Sequence, residues 1–253
     1  ADNNGKIMGG RLVDGVVDLT PVYAYSTDQA TQSSVAPLTS ASFVIGYANR
    51  SEDIQGEVVL GMYFGDLISM TPPAVFSAEM TSCIELLPID NVKVALFYRN
   101  WDSLSDFGRG RARIADCTGS TFAFSPITEF ALHDIGNIAG AKLTDNTVIL
   151  TYYGSGAHAG NYAKVGLIGD SCIGFGPTFS VPQSGQMRSA AAFDDKRFMI
   201  AINDSGAPWW VPGEVNGAEI SFGAPSEGSM PADAGEMGSC GASPSQAVTV
   251  CAG

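Results

Sequence analysis

Residues 243–253 read SPSQAVTVCAG: a Ser-Pro turn, then an apolar, β-branched run of the kind that forms a strand. A strand starting at 247 needs an antiparallel partner, and finding that partner decides the fold. The run has four close copies, FVIGYANR at 43–50, KVALFYRN at 93–100, TVILTYYG at 147–154 and RFMIAIND at 197–204. With Tyr47, Tyr98, Tyr152, Ile202 and Cys251 as markers, the spacings are 51, 54, 50 and 49 residues. A second landmark follows each marker, the polar turns VDGV, FGDL, CTGS, IGDS and VNGA. Their glycines, Gly15, Gly65, Gly119, Gly169 and Gly217, are spaced by 50, 54, 50 and 48. Gly in such turns tolerates the positive φ of tight hairpins.

A period near 50 with several strands per unit predicts an all-β fold, a five-bladed β-propeller of four-stranded blades. Strand A carries the small residues that suit a crowded axis (SSVAPL, TSCIEL, IAGAKL, RSAAAF, GSCGAS). Strand B is the apolar run. Strand C follows a long B–C loop (GEVVLGMYF, GRARIAD, YAKVGLIG), and strand D follows the Gly turn (TFAFSP, CIGFGP, EISFGAP). The chain then reads as one domain, 1–253, with blades at about 236–253 plus 1–27, 28–77, 78–130, 131–182 and 183–228. The C-terminal strands supply A and B of one blade and the N-terminal strands supply C and D. The tail strand is expected to pair near Ile7 to Val13 and close the ring, which leaves no open edge. The alternative is a linear array cut from a longer protein.

An apolar B strand ending in Tyr, a Gly-containing C strand and an FG-type D strand (ISFGAP, CIGFGP, FAFSPI) resemble the repeats of secreted β-propeller proteins. The architecture is similar to that of the five-bladed, tachylectin-like members. The resemblance covers nearly the whole chain and implies an extracellular propeller. Five-bladed propellers include sugar-binding lectins and glycosidases; neither the lectin repeat signature nor the glycosidase carboxylate motifs are present here.

Composition narrows the partners. Hydrophobic residues make up 45% and charged residues 15%, which argues against a disordered chain. The net charge of −13 opposes binding to nucleic acid or anionic lipid. No apolar stretch is long enough to span a membrane. The absence of a start Met or signal peptide is expected of a processed mature form or a cut-out domain. Two Asn-x-Ser sequons, at Asn49 and Asn203, are expected to begin the B–C loops of two blades at equivalent places and to carry glycans. They point to an extracellular or secretory-lumen location. Of the five cysteines, Cys240 and Cys251 are expected to form a disulfide across the last A–B hairpin, and Cys117 and Cys172 across adjacent blades. Cys83 is left as a buried free thiol; five buried thiols are the alternative.

Because successive strands alternate direction, the B–C and D–A loops share one face, where function usually sits. The B–C loops hold Trp101, Trp209 and Trp210, together with Tyr162, Arg99 and Asp204. A flat ring beside Asn, Asp and Arg is the chemistry of a sugar site, the ring covering an apolar sugar face while polar groups bond hydroxyls. Trp209-Trp210, flanked by Pro208 and Pro212, is expected to be a stiff loop pair; the alternative is that these aromatics fill grooves between blades. Carboxylates at the strand A starts, Glu79, Asp134 and Glu236, could ring the axial mouth. They are candidates for calcium ligands, for the acid and base of a glycosidase, or for a solvated acidic rim. Aligning the small-residue strands sets Thr31, Glu79, Gly136, Gln186 and Glu236 at one position. The two histidines, His133 and His158, fall on different blades, and no nucleophile motif appears.

The sequence therefore leads to an extracellular binding module, not an enzyme, with carbohydrate as favoured ligand through the B–C loop aromatics. The alternatives are a structural or interaction subunit docked on another protein in a larger assembly, and a glycosidase using the axial carboxylates. No cofactor is required; calcium is the candidate ion.

Overall fold

The computed structural model describes residues 4–13, 16–51, 54–65, 67–101, 108–228, 236–243 and 246–252; for 11–13, 16–18, 236–243 and 246–252 only the backbone is described. The chain opens with β1 (Asn4–Ile7), β2 (Gly10–Val13), β3 (Val16–Leu19) and β4 (Tyr23–Thr39). The first sheet continues through β5 (Ser42–Asn49), β6 (Gln55–Phe64), β7 (Leu67–Met70) and β8 (Ala74–Ser77). The second comprises β9 (Met80–Pro88), β10 (Lys93–Trp101), β11 (Arg109–Asp116), β12 (Ala123–Phe124) and β13 (Thr128–Ala131). The third comprises β14 (Ile135–Thr144), β15 (Thr147–Gly154), β16 (Gly160–Ile168), β17 (Ile173–Phe175) and β18 (Phe179–Ser180). The fourth comprises β19 (Gln186–Ala192), β20 (Arg197–Asp204), β21 (Ala207–Asn216), β22 (Glu219–Phe222) and β23 (Ser226–Glu227). A last pair, β24 (Glu236–Ser243) and β25 (Gln246–Ala252), follows.

Each of the four sheets is an antiparallel meander in the order A-B-C-D. The A strands β4, β9, β14, β19 and β24 lie side by side in chain order, so the sheets stack in series as a propeller-like array. The B strands explain the unbroken apolar runs, because both of their faces are buried. In β10, Val94, Leu96 and Tyr98 face the first sheet while Ala95 and Phe97 face the third. Phe198, Ile200 and Ile202 of β20 pack on Ile149, Ala163 and Val165 of the third sheet. Tyr47, with Phe43 and Ile45, packs against Ile7, Tyr23 and Tyr25, so the first chain segment covers the outer face of the first sheet.

Strand D is split in every unit, a feature the pattern analysis did not anticipate. The break falls at Thr20-Pro21, Thr71-Pro72, Ser125-Pro126, Gly176-Pro177 and Gly223-Ala224-Pro225. Proline has no N–H for the ladder and ends the pairing. The residue ahead of the break keeps one bond to strand C: the N–H groups of Thr20, Thr71, Ser125, Gly176 and Gly223 donate to Gly9, Leu60, Ile114, Val165 and Pro212, each at 2.9 Å. In three units the hydroxyl of that residue accepts the strand C N–H as well: Gly9 to Thr20 at 2.8 Å, Leu60 to Thr71 at 3.1 Å and Ile114 to Ser125 at 2.8 Å. The same device occurs five times, once in the N-terminal β1–β4 segment.

The expected ladder between 247–251 and Ile7–Val13 is not among the pairings of the described residues. β25 pairs with β24, β2 pairs with β3, and β1 pairs with β4.

Candidate functional site

In each sheet the end of strand B is tied by side chains to the D–A connection ahead of strand A. Asn49 Nδ2 donates to Asp28 at 3.4 Å and to Glu57 at 3.1 Å. Asn100 Nδ2 donates to Ser77 Oγ at 2.8 Å. The Ser155 hydroxyl donates to Asp134 Oδ2, and Ser184 Oγ donates to Asp204 Oδ2 at 2.8 Å. These four latches hold the loop face in place, and the third is built out the furthest.

At the third latch, Asp134 also accepts from Arg99 Nη2 of the second sheet at 2.5 Å and from the Gly108 N–H at 2.9 Å. Burial alone would raise the Asp134 carboxyl, but the Ser155 hydroxyl, the Gly108 N–H and Arg99 hold it below the ordinary value. The Arg99 guanidinium in turn lies over the Trp101 ring, 3.5 Å from its centroid. Next to Asp134, His133 stacks on His158 with centroids 4.4 Å apart and an interplanar angle of 28°. Tyr152 and Tyr162 complete the cluster, 5.6 Å apart and 6.1 and 6.0 Å from His133. Burial, then His158 and Lys164, push His133 below its ordinary value, against the pull of Asp134. The histidines expected on different blades are thus a contact pair, because the B–C loop of the third sheet reaches back over the D–A connection. That signal was present in the sequence: both fall on loops of the same face, one ahead of strand A and one after strand B of a single unit.

Tyr162 also lines a hollow of about 320 Å³ with Ala159, Asn161, Val181, Gln183 and Ser184. Asn161 is 3% exposed and its Nδ2 donates to the Gln183 and Gly185 carbonyls at 2.8 and 3.0 Å. Asp204 stands behind Gln183 and Ser184 as their acceptor. Thus Arg99, Trp101 and Asp134 form one contact chain, Tyr162 joins it through His133, and Asp204 supports the hollow from the fourth sheet.

Several expectations are corrected. Arg99 and Trp101 lie at the end of β10, Tyr162 in β16 and Asp204 at the end of β20, and Trp209 and Trp210 are not loop residues either. The fourth B–C connection is the two-residue turn Ser205–Gly206, with φ of 54° and 91°, and Asp204 pairs with Ala207. Trp209 and Trp210 therefore lie in the β20–β21 ladder opposite Ile202 and Ala201, on opposite faces of the sheet. Trp209 packs on the core between the third and fourth sheets.

Glu79 and Asp134 do not share an ion site. Glu79 pairs with Arg111 at 2.6 Å, and Asp134 pairs with Arg99. Among the described residues no group of three His, Cys, Asp or Glu could hold a metal. The Glu236 side chain lies outside the described residues. Register also places Ser82, not Glu79, level with Thr31, Gly136 and Gln186: Thr31 faces Ala48, Ser82 faces Arg99 and Gln186 faces Asn203.

The sequon asparagines are not equivalent. Asn49 is 2% exposed with its Nδ2 spent on Glu57 and Asp28, leaving no room for a glycan. Asn203, one residue earlier in its strand, is half-buried on the other face.

Cys117 and Cys172 are free thiols, not a disulfide. Cys117 turns into the core between the first two sheets, where burial and the Asp116 and Asp90 charges push it up to about 12, while Cys172 is exposed. Cys251 stands opposite Met237 and Cys240 opposite Val248, three positions out of line, roughly 10 Å along a strand and beyond disulfide reach. Cys83 is free and half-buried.

The sequence matches no known family profile and no curated protein. Among solved structures the chain is similar to TolB from Acinetobacter baumannii, with 10% identity and a TM-score of 0.45. The similarity covers 88% of this chain and 53% of that one, so the chain spans about half the length of the protein it matches.

Proposed function

We propose that the chain is a five-bladed β-propeller, the fifth blade built from β24–β25 and the β1–β4 segment, and that it is an extracellular carbohydrate-binding module. Four observations favour five blades: the fifth A strand, β24, lies beside β19; the proline-split strand D recurs five times; the β1–β4 segment occupies the outer face of the first sheet; and the two ends hold complementary halves of a unit.

The observation that carries the sugar reading is the hollow at the third and fourth sheets. A half-buried Tyr162 ring stands beside Asn161, Gln183 and Ser184, with Asp204 fixing the last two. That combination offers a flat apolar surface and several hydrogen-bonding groups at fixed positions, which is what a pyranose requires. A volume of about 320 Å³ suits one sugar unit.

A glycan-array screen of the native protein beside Tyr162→Ala tests this. Binding that falls about tenfold or more in the variant, at unchanged thermal stability, supports the reading. Absence of binding to every glycan overturns it and leaves the interaction-subunit reading. One feature favours that second reading: Phe64 and Leu67 face each other at the C–D turn of the first sheet, 61% and 64% exposed.

A further inference from the structure

The A strands carry a second repeat, on their axial side. Each breaks register with its B strand at the same level: between Thr31 and Ser34, between Ser82 and Glu85, between Ile135 and Ile138, and between Met187 and Ser189. These bulges re-aim side chains that a regular strand would turn into the sheets. In two of them a non-glycine residue takes the left-handed conformation, Gln32 at φ 51° and Cys83 at φ 50°. Such a backbone is strained for a non-glycine residue and persists where surrounding structure imposes it.

The bulges meet at one cavity of about 310 Å³, to which the four strands contribute Gln32, Cys83, Asn137, Met187 and Arg188 among others. Most polar groups there are engaged. The Cys83 N–H donates to Gln32 Oε1, and Asn137 Nδ2 donates to the Met187 carbonyl at 3.0 Å. Arg188 is the exception. Its Nη2 donates to Gln186 Oε1 at 2.9 Å, but its Nε is buried without an acceptor, and among the described residues no carboxylate pairs with it. An unmatched guanidinium is unexpected in a chain with 26 acidic and 13 basic residues. A guanidinium presents a planar fork of donors that a carboxylate meets with two parallel bonds. Ile84, Ile138 and Met187 give the cavity an apolar wall, which a carbon skeleton fills and a bare inorganic anion does not.

We infer that the axial cavity binds a small carboxylate-bearing molecule, with Arg188 taking the carboxylate and the Gln32 and Asn137 amides facing the rest of the ligand. This site is separate from the Tyr162 hollow and stands or falls independently of it.

Cys83 is a built-in reporter, being a free thiol in the cavity wall, and the exposed free thiol of Cys172 is an internal control. Iodoacetamide labelling of the two cysteines, followed by peptide mass spectrometry, is run with acetate, D-glucuronate, D-glucose or inorganic phosphate. D-Glucuronate is expected to slow labelling of Cys83 about fivefold or more, by mass action at millimolar ligand, with Cys172 unchanged. Acetate should protect weakly and glucose not at all. Arg188→Gln should abolish the protection and Arg188→Lys retain part of it. Labelling of Cys83 that neither carboxylate slows, that phosphate slows equally, or that remains slowed in Arg188→Gln overturns the inference. Should Cys83 resist labelling in the free protein, calorimetric titration with the same four probes decides by the same order of binding.

Discussion

The third and fourth B–C connections start from the same strand pattern and end differently. In the third, five residues separate Gly154 from Gly160, its partner across the hairpin; in the fourth, two separate Asp204 from Ala207. The longer connection lets Ser155 and His158 reach back to Asp134 and His133, and Asp134 reaches on to Arg99 of the second sheet. The shorter one keeps Asp204 on the neighbouring Gln183, Ser184 and Ser205, and draws Pro208-Trp209-Trp210 into the ladder. Tyr162, opposite Tyr152, and Trp209, opposite Ile202, hold the same place in their ladders, so loop length changes what the connection ahead of strand A touches and not which strand carries the aromatic.

The sharpest way to break this comparison is to remove the two aspartates. Asp134→Ala leaves Arg99, whose side chain is only 18% exposed, without its carboxylate and the Gly108 N–H without an acceptor. A loss of about 3 kcal/mol is expected on chemical denaturation. Asp204→Ala removes one short hydrogen bond, to Ser184, and weaker ones at 3.3 and 3.5 Å, and should cost about 1 kcal/mol or less. Equal losses would mean that the two latches do the same job. Because Asp134 is held below its ordinary value, its contribution is present above the usual carboxylate range and is lost as pH falls through its folded-state value.

A second contrast lies on strand A. Glu85 turns toward the third sheet and accepts the Gly140 N–H at 3.3 Å, as Ser34 accepts Leu86 N–H at 3.1 Å one blade earlier. Burial pushes Glu85 up to about 7 from 4.5. A raised carboxyl means that the folded state holds its proton longer, so its ionisation removes stability as pH rises from about 4.5 through 7. Glu85→Gln, which keeps the acceptor, should stabilise by about 1–2 kcal/mol at pH 8 and change little at pH 4, measured by thermal melting. No gain at pH 8 would show that the carboxylate is solvated.

The smallest effect concerns the stacked histidines. His133 sits below its ordinary 6.5, so the unfolded chain binds its proton first and stability falls as pH drops below about 6.5. Amide protection at residues 155–160, measured relative to the intrinsic exchange rate at each pH, should fall between about pH 6.5 and 5, with no such change in 205–207. His158→Ala should blunt that response; an unchanged response would place its origin outside the pair.

The strand framework was legible in the chain. Among the described residues the B strands and the first four A–B turns fall where the alternation and the turn signals put them, because both faces of a B strand must be apolar. Single residues of the candidate site were legible, but their contacts were not: Arg99, Trp101 and Asp134 touch one another, with Asp134 as a bridge, while Tyr162 lies in the β15–β16 ladder. Prolines on both sides make Trp209-Trp210 read as a stiff loop, yet Pro208 also fits beside a tight turn, and the pair lies in the ladder. A sequon says nothing of which face its amide occupies, and that of Asn49 is turned inward onto Glu57 and Asp28.

The sequence alone determined the period and the order of strands within a unit, and it contains the prolines that split strand D, although their effect on the ladder shows only in the fold. These depend on local causes: side-chain alternation, glycine in turns, and the N–H that proline lacks. Tertiary structure alone decided the contacts: the histidine stack, the Asp134 bridge, the inward turn of Cys117 and the bulges that bring Cys83 and Arg188 to one cavity. A contact between sheets depends on where two loops of different length end in space and on a one-residue change of register, and a pattern read along a single strand contains neither.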